Sequence, residues 1–172
     1  MTYTEQQHVS KSLGSLPRRL RMWVVRLWLK TFGPRWTVGV LCILRDSEGR
    51  VCLLKHKGRV KPWGLPGGLI KWPELPQVGL VREIYEELGW SATEVLGQTP
   101  FVLRNSLVSE NFPMLELIFE ANRTLSADEC AGWAVQASEI SEFAWFHADE
   151  LAALQGILER HRALLLDVLR RT

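Results

Sequence analysis

Residues 68–90 read GLIKWPELPQVGLVREIYEELGW. Apolar side chains recur at helical spacing over residues 76–88, which begin with a proline and are followed by Gly89. Proline suits the first position of a helix, and glycine suits its C-terminal cap. We therefore predict an α-helix over residues 76–88, preceded by a loop rich in Gly, Pro and Trp at 58–73.

The predicted helix has two faces at 100° per residue. Its apolar arc contains Val78, Val81, Ile84, Tyr85 and Leu88, and its acidic arc contains Glu83, Glu86 and Glu87. Three carboxylates at this spacing repel one another by a few tenths of a kcal/mol per pair, so an ordinary solvated face is one interpretation. Gly79 also lies on the acidic arc, where a glycine lowers helix stability by about 1 kcal/mol relative to alanine. A glycine at this position therefore favours a second interpretation, in which a backbone or a ligand approaches this face closely.

The glycines of the preceding loop, Leu65–Gly68, can turn a backbone carbonyl or N–H towards that acidic face. A hard divalent cation such as Mg²⁺ takes oxygen ligands and sits between carboxylates and substrate phosphates. Without a cation the carboxylates would raise one another's pKa, and a bound cation would compensate their charges. The acidic face is therefore a predicted metal site.

The spacing of charged and glycine residues in this stretch resembles the Nudix box of the Nudix hydrolases. The match covers Gly68, Glu74, Arg82-Glu83, Ile84, Glu86-Glu87, Gly89 and Trp90. At average residue usage, a chance match in a chain of this length has a probability on the order of 10⁻⁷. The resemblance implies a Nudix-type α/β/α sandwich with a mixed β-sheet, and it extends over roughly residues 36–155.

The resemblance also implies roles for individual residues. Nudix enzymes hydrolyse a nucleoside diphosphate linked to another moiety and use Mg²⁺, with Mn²⁺ as a substitute. The positions that resemble the family's metal ligands are Glu83, Glu86, Glu87 and the carbonyl of Gly68. Arg82 resembles the arginine that orients the glutamates of the box, with Glu74 as its partner.

The resemblance leaves the general base open. Some family members use the glutamate equivalent to Glu83, and others use an acid outside the box. We favour Glu83, with Glu142 second, and the other acids considered are Asp128, Glu129 and Glu139. The sequence departs from the family pattern at Pro73 and at Leu75, which deprives the helix of an N-cap side chain worth about 1 kcal/mol.

The remainder of the chain predicts strands around the helix. Two strands at 37–45 and 50–57 form a hairpin with a turn at Asp46–Gly49. The other predicted elements are strands at 95–103, 115–121 and 142–146 and closing helices at 149–155 and 157–171. Strands on both sides of a helix indicate a mixed sheet between helical layers. We predict a basic arm over residues 1–34 and a Nudix hydrolase domain over residues 35–172.

Residues 13–32 of the arm form a predicted amphipathic helix. Its apolar stripe contains Leu16, Leu20, Trp23, Val24 and Leu27, and its basic residues lie mostly off the stripe. The favoured interpretation is packing on its own domain or on a second subunit, and a homodimer is one expectation. The same pattern is compatible with peripheral contact to an anionic membrane or with a nucleic-acid contact.

The composition is that of a folded globular protein: 172 residues, 47% hydrophobic and 23% charged. The formal charge is +2, but residues 1–35 carry seven basic residues against one acid, so the remaining 137 residues sum to −4. This distribution is unlike that of a dedicated nucleic-acid binder. We expect a small nucleotide-type substrate, and capped RNA stays among the candidates.

The predicted location in the cell depends on the absence of membrane-spanning, signal and disulfide patterns from the sequence. No apolar run approaches the roughly 20 residues that span a bilayer, and the first residues have no apolar signal segment. The three cysteines, Cys42, Cys52 and Cys130, show neither disulfide nor zinc spacing. We expect a cytoplasmic protein.

Substrate binding is predicted from the segment that precedes the metal loop. Lys57, Arg59 and Lys61 could meet a polyphosphate, although a solvated strand end explains them equally well. Trp63 and Trp72 flank the loop and could stack on a base, although packing is the simpler explanation for each.

These features predict a Mg²⁺-dependent Nudix pyrophosphohydrolase that cleaves a phosphoanhydride. Two alternatives use the same fold: an isopentenyl-diphosphate isomerase and a non-catalytic nucleotide-binding regulator. The isomerase would need a catalytic cysteine and glutamate in the pocket, and a regulator would be expected to lose acids of the box. Every charged position of the box is present here.

Overall fold

The structure is a computed structural model that describes residues 37–91, 101–108 and 114–171. Its strands are β1 (Thr37–Ile43), β2 (Val51–His56), β3 (Trp63–Gly64), β4 (Gly67–Leu69), β5 (Phe101–Val108), β6 (Met114–Ala121) and β7 (Ile140–Phe146). Its helices are α1 (Pro76–Leu88), α2 (Ala127–Ala131), α3 (Ala148–Ala153) and α4 (Glu159–Arg170). The predicted arm helix at 13–32 lies outside the described residues, so the division at residue 34 stays a prediction. Among the described helices, none is long and apolar enough to cross a membrane.

Helix α1 has the predicted bounds. Pro76 occupies its first turn, and Gly89 caps its C terminus in the left-handed conformation, at φ 64°. Leu75 precedes the helix in an extended conformation and makes no side-chain cap. The closing helices were predicted one to two residues away from their observed starts, and α2 was not predicted.

The buried face of α1 differs from the predicted arc. Val78 and Tyr85 are 55% and 59% exposed, whereas Leu80 is buried. The buried arc is centred near Ile84, and Tyr85 and Val78 lie about 100° and 120° from that centre. Glu87 lies at the opposite edge of the arc and is buried among apolar residues. The acidic residues therefore do not share a uniformly solvated face.

The strands form two sheets, one in the order β4-β1-β6-β5 and the other in the order β3-β2-β7. The predicted turn is present, because the Asp46 carboxylate accepts the N–H groups of Glu48 and Arg50 at 3.0 and 2.9 Å. Beyond the bridge between Arg45 and Val51, however, β1 and β2 enter different sheets. The predicted hairpin is thus limited to its turn. The strand predicted at 95–103 begins at Phe101 in the described residues and continues to Val108.

Two apolar cores confirm the α/β/α sandwich. One packs α1 against the sheets, through Leu80, Ile84 and Leu88 against Val40, Cys42 and Leu54. The other packs α3 and α4 on the opposite side, through Leu151, Leu165 and Val168 against Ile43, Leu53 and Ile118. Alternate residues of β1 therefore point into different cores, as the period of a strand requires.

A buried carboxylate fastens α4 to the sheet, which the sequence did not predict. Glu116 of β6 accepts two hydrogen bonds from Arg160, at 3.1 and 2.7 Å. His161 Nε2 lies 3.0 Å from the same carboxylate, and both Glu116 and His161 are buried. Burial alone would raise the pKa of Glu116, but the bonds from His161 and Arg160 outweigh it and lower the pKa to about 2.

Replacing Glu116 tests this attachment. The pKa is depressed in the folded state, so its contribution to the free energy of unfolding is present above about pH 4.5 and is lost as the pH falls towards 2. Glu116→Gln should destabilise the protein by about 3 kcal/mol at pH 7, because it leaves the partly buried Arg160 guanidinium without its carboxylate and removes the partner of buried His161. It should also flatten the acid limb of stability measured by urea unfolding. An unchanged acid limb would contradict the attachment.

Candidate metal centre

Arg82 of α1 lies beside the acidic face and contacts two of its three acids. Its Nε and Nη2 donate to the two carboxylate oxygens of Glu74, at 2.7 and 2.9 Å, in a bidentate pair. Its Nη1 donates to Glu83 at 2.6 Å and to Glu86 at 3.1 Å. The guanidinium therefore ties the acids of the helix to the loop before it, as its planar fork of donors permits.

The loop before α1 is held by the same group of charges. Arg82 Nη2 donates to the carbonyl of Leu69 at 3.1 Å, and the Lys71 N–H donates to Glu74 at 2.9 Å. Hydrogen bonds from Arg82 and from the Lys71 backbone lower the pKa of Glu74 to about 2. In turn, the hydrogen bond to Glu74 raises the pKa of Arg82. Lys71 Nζ lies 3.2 Å from Glu86 and is an interaction that the sequence did not indicate.

Glu87 has a different environment. Its carboxylate is buried, and it accepts the N–H of Gly67 at 2.7 Å. Burial raises the pKa of Glu87 to about 8, the Gly67 N–H opposes this rise, and the charge of Glu83 adds to it. A carboxylate in such a position is costly when ionised unless a positive charge compensates it.

The two glycines of the loop permit its close approach to β1 and to α1. Gly67 has φ 131°, and a Cβ there would stand 2.1 Å from the Val40 carbonyl oxygen. A Cβ on Gly68 would stand 2.6 Å from the Glu83 carboxylate. Gly79 serves the same approach, because a Cβ there would stand 2.8 Å from Ile70 and 3.2 Å from Glu74. The loop itself, not a ligand, therefore occupies the space above Gly79.

This arrangement fits a hard divalent cation in its donor chemistry. Glu83, Glu86 and Glu87 supply carboxylate oxygens beside a glycine backbone, and these are the ligands that Mg²⁺ prefers. Within the described ranges, no three acids already enclose a cation position. Glu83 and Glu86 are instead turned towards Arg82, and Glu86 also towards Lys71. Their role as ligands stays a prediction.

The residues predicted to bind substrate have different environments. Arg59 and Lys61 are exposed. The charge of Arg59 partly opposes the rise in the pKa of Glu87 that burial causes. Burial, with a smaller contribution from the charge of Arg59, lowers the pKa of His56 to about 4. Lys57 is bonded to the Ala137 carbonyl through Nζ and to the Glu139 carbonyl through its backbone N–H. The charge of Arg59 thus acts on Glu87 of the acidic face.

The two tryptophans of this region also differ. Trp63 packs edge-on against Phe146, with ring centroids 5.1 Å apart, and Lys55 Nζ lies 5.4 Å from its ring. Trp72, in the loop, is 91% exposed. The structure therefore shows a packing contact for Trp63 and leaves the face of Trp72 accessible.

Two of the alternative acids, Glu142 and Glu129, have partners of their own. Glu142 lies opposite Lys55 in the β2–β7 pair, and the two side chains are 2.7 Å apart. Glu129 binds Arg123 at 2.6 Å and caps α2 with Ser126. Burial chiefly raises the pKa of Glu87, and the charge of Glu139 adds to that rise.

Comparison with known proteins establishes the family. A sequence model of the NUDIX domain matches residues 35–168, and the chain belongs to this family. This confirms the resemblance on which the residue roles were based.

Two curated relatives are RNA pyrophosphohydrolases. Those from Methylococcus capsulatus and Saccharophagus degradans are 38% and 40% identical to this chain over 77 residues. Each match covers 44% of this chain, and 39% and 44% of the respective relative. The chain thus matches less than half the length of either relative.

Solved structures share the fold. The MutT protein from Methanosarcina mazei superposes with a TM-score of 0.61 at 18% identity, over 82% of this chain and 97% of that protein. A bifunctional NMN adenylyltransferase/ADP ribose pyrophosphatase from Francisella tularensis, complexed with AMP and manganese, has a TM-score of 0.61 at 18% identity. That match covers 99% of this chain and 50% of the Francisella protein. At these identities the likeness shows the fold alone.

Substitution of Gly68 tests the contact between the loop and the helix. Gly68→Ala should displace the Glu83 carboxylate and lower the affinity for Mn²⁺ at least tenfold, measured by electron paramagnetic resonance. Gly132→Ala is a matched control, because a Cβ there would meet nothing within 4 Å. Equal Mn²⁺ affinity in the two variants would contradict the predicted site.

Proposed function

We propose that this chain is a divalent-cation-dependent pyrophosphohydrolase that cleaves a phosphoanhydride in a nucleoside diphosphate-linked substrate. The observation that carries the proposal is the contact of the Gly67-Gly68 loop with Glu83 and Glu87 of α1. This contact brings carboxylate oxygens of α1 close to the backbone of the loop. The family membership and the names of the relatives support the same class of reaction.

The proposed mechanism assigns separate roles to the residues of this face. Glu83, Glu86 and Glu87, with the Gly68 carbonyl, would hold Mg²⁺ or Mn²⁺, which supplies charge neutralisation and an activated water. Arg82 orients Glu83 and Glu86 through its Nη1 and is itself oriented by Glu74. Glu83 would accept the proton of the attacking water, since it is the half-buried acid that touches the loop.

We propose RNA as the class of substrate. Two relatives are named RNA pyrophosphohydrolases, which favours RNA among the nucleotide substrates, with capped RNA as one candidate. Exposed Trp72 beside the loop would suit a base that stacks on it, because such stacking contributes about 1–3 kcal/mol per base. Arg59 would meet the phosphates. A cytoplasmic location, a homodimer and a membrane contact of residues 13–32 stay predictions.

The cysteines argue against the isomerase alternative. Cys42 and Cys52 are fully buried, and burial raises the pKa of both thiols. Burial also raises the pKa of Cys130 to about 11. A catalytic thiol is normally accessible and has a lowered pKa, so none of the three has the required environment.

The function is tested by an activity screen with Mg²⁺ and Mn²⁺. Nucleoside triphosphates, nucleotide sugars, dinucleoside polyphosphates, capped RNA and triphosphorylated RNA would be supplied, and the products identified. Release of phosphate, pyrophosphate or a nucleoside monophosphate supports the proposal. Formation of an isomer, or no reaction with any of them, would overturn it.

Removing one charge of the acidic face should separate activity from stability. Glu86→Gln should lower kcat at least 100-fold, because it removes a proposed ligand. The free energy of unfolding without metal should change by less than about 1 kcal/mol, because the ion pairs of this half-exposed carboxylate contribute little. Glu48→Gln, another exposed acid, is the control. Full activity of Glu86→Gln on every substrate would refute the site.

The general base is tested by a pair of substitutions. Glu83→Gln should abolish the pH dependence of kcat on its acid limb and reduce kcat about 10³-fold. Glu142→Gln should change kcat less than threefold, because Glu142 is paired with Lys55 across the strand pair. A larger loss of kcat in Glu142→Gln than in Glu83→Gln would reverse the assignment.

A further inference from the structure

A cavity of about 500 Å³ lies at one end of the four-stranded sheet, and arginines dominate its lining. The polar residues that line it are Arg45, Arg104, Glu120, Asn122, Arg123 and Thr124. None of them belongs to the acidic face of α1. They come from the segment that follows β1, from the end of β6 and the segment that follows it, and from a bulge in β5.

Glu120 orients two of the three guanidinium groups. Its Oε1 lies 2.7 Å from Arg45 Nη2, and its Oε2 accepts Arg104 Nε at 2.6 Å and also Arg104 Nη2. Arg104 is the extra residue of the β5 bulge, between the pairs that Leu103 and Asn105 make with β6. Bulges re-aim side chains in this way, and the buried carboxylate then fixes where the Arg104 fork points.

Arg123 is oriented by a different group. It donates to both carboxylate oxygens of Glu129, at 3.1 and 2.6 Å, and to the Thr124 carbonyl at 3.2 Å. The lining thus carries the three positive charges of the arginines and the negative charge of Glu120. Glu129 lies outside the lining and compensates the charge of Arg123. About one positive charge remains. A guanidinium has five N–H donors, so a fork committed to one carboxylate oxygen keeps donors for another anion.

We propose that this cavity binds a phosphate oxyanion through Arg45, Arg104 and Arg123. Arginine forks match the geometry of phosphate oxygens, and the volume is ample for a phosphate group with part of its carrier. The phosphate could be a phosphodiester of a nucleic-acid chain or belong to a small phosphorylated molecule. The inference is independent of the proposed function, because it uses none of the residues of the acidic face.

The cavity is separate from the predicted metal site. A Cβ on Gly39 would stand 3.7 Å from the Gly68 carbonyl oxygen, which places the metal loop beside Gly39 of β1. Arg45 lies six residues further along the chain, which corresponds to roughly 20 Å in an extended strand. The phosphate in the cavity is therefore not the diphosphate that would react at α1. A nucleic-acid strand with a phosphate about every 3.4 Å could span that distance with about six nucleotides.

The first experiment asks whether the site exists. The metal-free full chain would be titrated with inorganic phosphate while the Nε–Hε resonances of its arginines are followed by NMR. Resonances of Arg104 and Arg123 should shift, and that of Arg171, an exposed arginine paired with Asp167, should not. Arg104→Gln and Arg123→Gln should each weaken phosphate binding at least tenfold, with Arg171→Gln as the control. Equal shifts at Arg171, or unchanged affinity in both variants, would overturn the proposal.

The second experiment identifies the source of the phosphate. ATP and a triphosphorylated RNA of ten nucleotides would be compared without metal, so that binding is measured apart from any hydrolysis. One supporting outcome is that RNA binds more tightly than ATP and that Arg104→Gln removes this difference. The slope of log affinity against log salt concentration should then also fall by about one, and the ligand is a phosphodiester. Equal weakening for ATP and RNA supports the site and assigns a small phosphorylated molecule. Unchanged binding of both would overturn the proposal, whatever the activity screen shows.

Discussion

The bidentate pair between Arg82 and Glu74 is the constraint on which the arrangement of the acidic face depends. Arg82 lies on α1 and Glu74 lies in the loop, so their hydrogen bonds join the two elements. The same guanidinium reaches the Leu69 carbonyl and the carboxylates of Glu83 and Glu86. Acids at this spacing repel one another, and a central cation makes their proximity tolerable. The approach of the Gly67-Gly68 loop to the helix depends on that compensation.

The elements predicted correctly are those whose signals are local. Helix α1 was predicted from Pro76 to Leu88 because its proline and its terminal glycine act on the backbone beside them. The face that α1 buries depends instead on where the sheet and the loop lie, and Val78 and Tyr85 were therefore misplaced. The division of β1 and β2 between two sheets is also set by distant partners, since β1 pairs with β4 and β2 pairs with β7.

The functional residues show the same difference between local signals and distant partners. The acids of α1 were found from their spacing along one helix, but their partner Lys71 was not, because its reach across the loop leaves no pattern in the sequence. Glu116 and Glu120 were missed for another reason. An acid in a strand is normally read as solvent-facing, whereas both are buried under arginines that arrive from other elements. Their separation by four residues, which places them on one face of β6, was the available signal.

The acids of the candidate metal centre differ in the positive charges that compensate them. Glu74 is committed to Arg82 through both oxygens, and Glu86 is shared between Arg82 and Lys71. Glu87 is buried, and among the described residues its carboxylate accepts a backbone N–H from Gly67 rather than a side-chain cation. A buried carboxylate with one neutral donor gains more from an added positive charge than a carboxylate already paired with arginine. The place where a cation would be most stabilising is therefore the junction of Glu87 with the glycine loop, which is also where Gly68 meets Glu83.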